Sequence, residues 1–204
     1  MTVKAINPYI HRFSAIFILI VSASLFTAPA YARQLGDVSL PDKVTLDGSS
    51  AVLQLNGMGY RTKFIFKVYV GALYTEEKVD SRDAVQALTG PKRIVMHIVH
   101  DEVSKKKMAS AWNEGFEDNN SAEQLKKLQS RLNTYINYFS DLKAGDIILL
   151  DYIPASGTRV TFNGEQKEII EGADFYAALL DVWLGEEPAD DSLKDAMLGM
   201  QGDE

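Results

Sequence analysis

The clearest hydrophobic pattern in the chain has a period of two. Across residues 61–70 the even positions are Thr62, Phe64, Phe66, Val68 and Val70, and the odd ones are Arg61, Lys63, Ile65, Lys67 and Tyr69. Successive side chains of a strand point to opposite faces, so this alternation predicts one strand with an apolar face and a basic face that ends in an aromatic. Upstream, residues 43–46 and 51–55 flank Asp47-Gly48 and predict two strands joined by a tight turn. Gly71 predicts a bulge or bend before Tyr74. Pro91 opens a further strand that runs through His100.

The period then lengthens. Val103, Met108, Ala111, Trp112 and Phe116 recur at helical spacing, with lysines and glutamates on the other side, which predicts an amphipathic helix. Ser121 followed three residues later by Gln124 is a capping box, and Leu125, Leu128, Leu132, Tyr135, Ile136 and Phe139 form the apolar stripe of the helix it starts. From Gly145 the period returns to two: a strand over 147–153, a turn at Ala155-Ser156-Gly157, a strand over 159–162, a type I′ hairpin at Asn163-Gly164, and a strand over 166–170. Such short connections predict an antiparallel meander. Residues 173–184 form an apolar-faced helix stopped by Gly185, and 193–200 predict a short last helix before an acidic tail. Strands, then helices, then strands again, without regular alternation, predict an α+β domain: a large antiparallel sheet with helices packed on one face.

The N-terminus changes the picture of where the domain begins. Lys4 and Arg12 precede an apolar run over residues 15–26, and Ala30 and Ala32 place small side chains where a signal peptidase requires them. Residues 1–32 are therefore expected to be a signal peptide cleaved after Ala32, and residues 33–204 a single domain in the periplasm or outside the cell. The run is too short for a comfortable membrane anchor, and no later segment is long and apolar enough to cross. Cleavage would remove two positive charges and no acid, moving the net charge from −7 to −9, which makes nucleic acid an unsuitable partner. The chain has no Cys, so thiol catalysis, cysteine-ligated zinc and disulfides are all excluded and packing alone must hold the fold.

Candidate chemistry is sparse. His97 and His100 lie three apart on a presumed strand and face opposite ways, which makes a shared metal site with Asp101 and Glu102 awkward, and no metal or cofactor is expected. Gly57-Met58-Gly59 precedes a strand rather than a helix, so it reads as a turn and not a phosphate loop. Glu186-Glu187 and Asp190-Asp191 read as solvated charges near helix ends. Trp112, Phe116, Tyr135 and Phe139 are either ordinary core or the wall of a ligand cavity, and spacing alone does not separate the two. Arg61 stands out: covered by helices, its guanidinium would need an anionic partner, for which a ligand carboxylate serves as well as a protein acid. On the solvent face of an edge strand, Lys63 and Lys67 would simply discourage aggregation.

Residues 55–64 (LNGMGYRTKF), 67–74 (KVYVGALY), 111–116 (AWNEGF), Gly145-Asp146 and 175–185 (FYAALLDVWLG) together resemble the bacterial secreted branch of the chalcone isomerase-like family, from about Val44 to Met200. The resemblance implies an open-faced β-sandwich, a large antiparallel sheet covered by helices, with a ligand cleft between them. Arg61 matches the family's cleft arginine, which positions the chalcone in the plant enzymes and, with a tyrosine, anchors the carboxylate in fatty-acid-binding members. Tyr69 or Tyr74 would be that tyrosine, with Tyr69 preferred because it shares strand parity with Arg61. Trp112 and Phe116 would line the cleft. The enzymes' threonine falls at Phe64 or Tyr69, and their helix tyrosine and asparagine at Val103 and Ser110, so three of four substrate-orienting polar groups are replaced. The resemblance thus implies a non-catalytic binder of a fatty acid or similar amphiphile. Its alternatives are an isomerase acting by intramolecular conjugate addition, and a module that binds an envelope protein through an exposed apolar patch.

Overall fold

The computed structural model describes residues 31–200, so the expected signal peptide lies outside the described residues except for Tyr31 and Ala32. In chain order the elements are β1 (Ala32–Leu35), β2 (Val38–Pro41), β3 (Lys43–Thr45), β4 (Val52–Lys63), β5 (Phe66–Thr75), α1 (Arg82–Ala87), β6 (Lys92–Ile98), β7 (Glu102–Val103), α2 (Lys105–Asn119), α3 (Ala122–Asn137), β8 (Leu142–Lys143), β9 (Ile147–Ile153), β10 (Gly157–Phe162), β11 (Glu165–Gln166), β12 (Ile170–Glu171), α4 (Ala173–Leu184) and α5 (Asp191–Met197). Eight strands form one antiparallel sheet in the order β11-β10-β9-β6-β5-β4-β3, with β12 also paired to β10.

Alternation along the central strands divides the core in two. Tyr69 and Leu73 of β5, with Ile94, Met96 and Ile98 of β6, pack against Trp112, Leu128, Leu132, Phe175 and Trp183 of the helices. Val70, Ala72 and Tyr74 of β5, with Val95 of β6, pack on the opposite face. The helices cover one face, as the pattern predicts. The other face is also covered, in part by the β1–β2 hairpin, which buries Val38 and Leu40 there. Each such side chain contributes about 1.5–3 kcal/mol when fully buried. A hairpin of two four-residue strands is too short to show a period, so the sequence did not reveal it.

Local rules set the helix starts. Ser121 Oγ accepts from the Gln124 amide at 3.3 Å while Gln124 Oε1 accepts from the Ser121 amide at 2.9 Å, the reciprocal box expected for α3. Asn163 and Gly164 both take positive φ at the β10–β11 connection, as a type I′ turn demands.

Three expectations near β4 and β5 are corrected. Residues 61–70 are not one strand: β4 ends at Lys63, Phe64 and Ile65 make a two-residue turn, and β5 begins at Phe66. The turn pairs Lys63 with Phe66 and so exchanges odd for even positions; a bulge at Val68 exchanges them back. Between the two shifts Phe66 and Val68 come to the cavity side with Arg61, Lys63 and Tyr69, so the alternation in sequence does not sort apolar and basic residues onto separate faces.

Gly57-Met58-Gly59 is strand interior and not a turn, because α5 lies across it: a Cβ on Gly57 would stand 1.9 Å from the Ala196 carbonyl oxygen, and one on Gly59 2.6 Å from the Ala196 Cβ. Gly71 makes no bulge; it pairs with Gly59 and lies beneath Leu193 of the same helix. The bulge on β4 is at Asn56, between Leu55 and Gly57. That buried amide donates to Val79 O and Met197 O, both at 2.8 Å, and accepts from the Val79 amide at 2.9 Å.

Candidate functional site

A cavity of 630 Å3 lies where the β4–β5 hairpin, β6, α2 and the segment after α4 meet. Its apolar wall comes from Val68 and Met96 on the sheet, Val103, Met108 and Trp112 around α2, and Val182 on α4. Charged side chains border it too: Lys63, Lys107, Glu102, Glu114, Asp118 and Glu187, with His100 against Phe66 at 5.9 Å between ring centroids. A volume of this size falls in the range of roughly 300–1,000 Å3 usual for small-molecule sites.

Arg61 and Tyr69 are cross-strand partners on β4 and β5, and both line the cavity. Arg61 is half-buried, and among the described residues its guanidinium makes no hydrogen bond or ion pair. The acid beside this segment is Asp190, whose carboxylate is already engaged: it accepts from the Thr62 amide at 2.8 Å and from the Leu193 amide at 3.0 Å, capping α5. Asp190 was expected to be a solvated charge; it ties the hairpin to α5 instead.

Tyr69 is buried, and its hydroxyl accepts from Trp183 Nε1 at 2.8 Å. Burial pushes its pKa up to about 12, opposed by the nearby positive charge of Arg61 and the bond from Trp183. The phenol therefore keeps its proton at neutral pH and is a donor. Trp112 adds a second: its indole Nε1 is buried with no partner among the described residues, while its ring meets Tyr135 and Trp183 edge-on at 5.0 and 5.5 Å. Arg61 and the two neutral donors thus belong to residues that line the cavity beside its apolar side chains, with the other charged residues named above also at its border.

Of the five residues singled out in the sequence, Arg61, Tyr69 and Trp112 meet at this cavity. Tyr74 does not. It stands on the opposite face of the sheet, because it differs from Tyr69 by an odd number of positions, and its hydroxyl donates to Pro41 O at 2.8 Å. Phe116 is fully buried and does not line the cavity; its ring is tilted by 36° against that of Phe175, with centroids 5.6 Å apart. The positions that the resemblance aligns with the enzymes' other polar groups, Phe64, Tyr69, Val103 and Ser110, all border the same space as Arg61. Sequence reasoning did not single out Met96, whose only signal was an apolar position in an ordinary strand, nor the bond to Tyr69 made by Trp183 of the 175–185 segment. Among the described residues no group of three or more His, Asp or Glu side chains could hold a metal ion.

No curated protein sequence matches this chain. Among solved structures, a fatty-acid-binding protein of Arabidopsis thaliana superposes with a TM-score of 0.62 at 16% identity, covering 82% of this chain and 96% of that one. At that identity the likeness is one of fold: a curled antiparallel sheet with helices packed on it. A family description supplies the rest, matching residues 32–199, nearly all that the structure describes. The chain belongs to the chalcone isomerase-like family.

Proposed function

We propose that this protein is a non-catalytic binder of a fatty acid or similar amphiphilic carboxylate, working in the periplasm or outside the cell after removal of residues 1–32. The observation that carries the reading is the pair Arg61 and Tyr69: a half-buried guanidinium that makes no ion pair among the described residues, opposite a protonated phenol, at a cavity wall that also carries Val68, Met96, Met108 and Trp112. A carboxylate placed there would take one charge-assisted bond and one neutral bond, and its hydrocarbon would lie over Val68, Met96, Met108 and Trp112. The likeness in fold to a protein that binds fatty acids supports the same reading.

Magnitudes divide the labour. Each buried methylene contributes about 0.8 kcal/mol, whereas a hydrogen bond to a charged group contributes roughly 1.5–3 kcal/mol. A long chain therefore supplies most of the affinity, and Arg61 sets which end goes where. Ring closure by conjugate addition would need further groups aimed at a developing enolate, and Val103 brings only methyls to the cavity.

The test is mass spectrometry of small molecules extracted from the purified protein, wild type beside Arg61→Ala. A stoichiometric fatty acid in the wild type, depleted in the variant, is the expected result. Empty protein in both, or turnover of a chalcone-like substrate above its spontaneous rate, overturns it.

A further inference from the structure

The tip of the β4–β5 hairpin breaks two rules at once. Phe64, Ile65 and Phe66 are 90%, 85% and 55% exposed, three large apolar side chains in a row, whereas the other exposed large apolar residues described, Tyr31, Val52, Ile169 and Met200, are scattered along the chain. Phe64 also takes φ +58° at the first position of the two-residue turn. A left-handed φ at that position suits glycine, and an aromatic side chain there is strained while it stays 90% exposed at the rim of the cavity. Neither feature helps the folded chain on its own, and a prong of this kind invites aggregation.

The surrounding charge indicates what the prong meets. Residues 61–67 carry Arg61, Lys63 and Lys67 and no acid, in a chain whose net charge is −7. Lys63 borders the cavity, and Lys67 lies over the ring of Tyr60 at 3.8 Å, so the two flank the tip. A second basic run, Lys105-Lys106-Lys107, occupies the first turn of α2, which has no acid of its own, while the Asp141 carboxylate accepts from the Lys105 amide at 2.7 Å. The helix dipole disfavours cations at that end, yet Lys107 borders the same cavity as Phe64 and Phe66; the acids at that cavity, Glu102, Glu114, Asp118 and Glu187, come from β7, α2 and the segment after α4 and not from the hairpin. Apolar side chains projecting past a collar of lysines are the chemistry of a lipid-water interface: rings and aliphatics enter the acyl boundary while amines meet anionic headgroups. A protein partner of ordinary affinity needs about 800 Å2 from each side, which a two-residue turn does not offer by itself.

We propose that the Phe64-Ile65-Phe66 tip, with Lys63, Lys67 and Lys107, is a docking surface for an anionic lipid bilayer, placed so that the mouth of the cavity opens at the membrane. The inference stands on the hairpin's own chemistry and goes beyond the identity of the cavity's ligand.

The test is flotation of the protein, purified as the cell produces it and with its N-terminus determined, on vesicles of phosphatidylcholine alone or mixed with phosphatidylglycerol. Ile65 and Lys67 do not line the cavity, so Ile65→Ser and Lys67→Gln leave binding of a fluorescent fatty acid in vesicle-free solution unchanged; that control separates this inference from the cavity reading. Expected are binding that needs phosphatidylglycerol and weakens with salt, a loss of about tenfold in partitioning for Ile65→Ser, and about fivefold for Lys67→Gln. Wild-type protein that stays off both vesicles, or floats equally well as the two variants, overturns the proposal. So does self-association abolished by the same substitutions in the absence of vesicle binding, which would assign the tip to a second copy of the chain.

Discussion

Arg61 and Tyr69 stand directly opposite each other on β4 and β5 although eight positions separate them in sequence. In one continuous strand they would be about 26 Å apart. A two-residue turn and a one-residue bulge fold that distance back on itself and bring a cation and a neutral donor to one cavity wall. The consequences can be measured.

Replacing Arg61 separates headgroup recognition from hydrophobic affinity. Arg61→Ala should weaken binding of a long-chain fatty acid by about tenfold to a hundredfold and leave its methyl ester nearly unaffected. Isothermal titration with the two ligands decides it, and equal losses for both would remove the guanidinium from the proposed mechanism.

Tyr69→Phe tests the other partner and carries a structural cost that Arg61→Ala does not. The substitution removes the acceptor of Trp183 Nε1, a buried bond of 2.8 Å, and strands that indole in the core. Chemical denaturation should show a loss of about 1–3 kcal/mol, together with reduced preference for acid over ester.

Gly57 sets the approach of α5 to the sheet. Its absent Cβ would collide with the backbone of Ala196, which cannot rotate away as a side chain can. Gly57→Ala should destabilise the protein by about 1–3 kcal/mol or more and raise amide exchange selectively in α5. Because Asp190 at the start of α5 holds the Thr62 amide beside Arg61, ligand affinity should fall in the same variant.

Lys92 provides a pH signature. Its ammonium is buried, donating to Leu88 O at 2.6 Å and Gly90 O at 3.2 Å, and lies over the Tyr152 ring at 4.6 Å. Desolvation lowers its pKa from 10.5 to about 8, with the charge of Glu76 opposing the shift. Below pH 8 both folded and unfolded chains carry the charge, and the folded one bears its burial. Between about pH 8 and 10.5 the unfolded chain binds the extra proton, so this group makes stability rise with pH. The rise should be on the order of 3 kcal/mol at most, visible as the difference between the stability profiles of the wild type and Lys92→Met. Coincident profiles would show that the ammonium is effectively solvated.

A buried row across the sheet shows how far local reading reaches. Arg93, Asp151 and Arg159 are successive cross-strand partners on β6, β9 and β10, and the Asp151 carboxylate accepts from both guanidiniums at 2.6 to 3.2 Å. Each residue falls within a segment whose period marks it as a strand, yet nothing in any one segment announces the other two. Register between strands is set by packing and turn geometry, and it decides which distant side chains meet.

By itself the sequence determined the elements whose rules are local: the capping box of α3, the type I′ turn at Asn163-Gly164, the stop of α4 at Gly185, and the α+β class with helices on one face. It also marked Arg61, conditionally: on a face covered by helices its guanidinium would need an anionic partner, whereas on a solvent face it would need none. Parity also preferred Tyr69 over Tyr74, but only the tertiary structure decided that Arg61 and Tyr69 face each other from two strands, that Trp112 lines the cavity while Phe116 does not, and that Gly57 yields space to a helix some 140 positions away. The physical reason is the same in each case. Periodicity records which face of its own element a side chain occupies, whereas a cavity is defined by which elements fail to touch, and that depends on how all of them pack together.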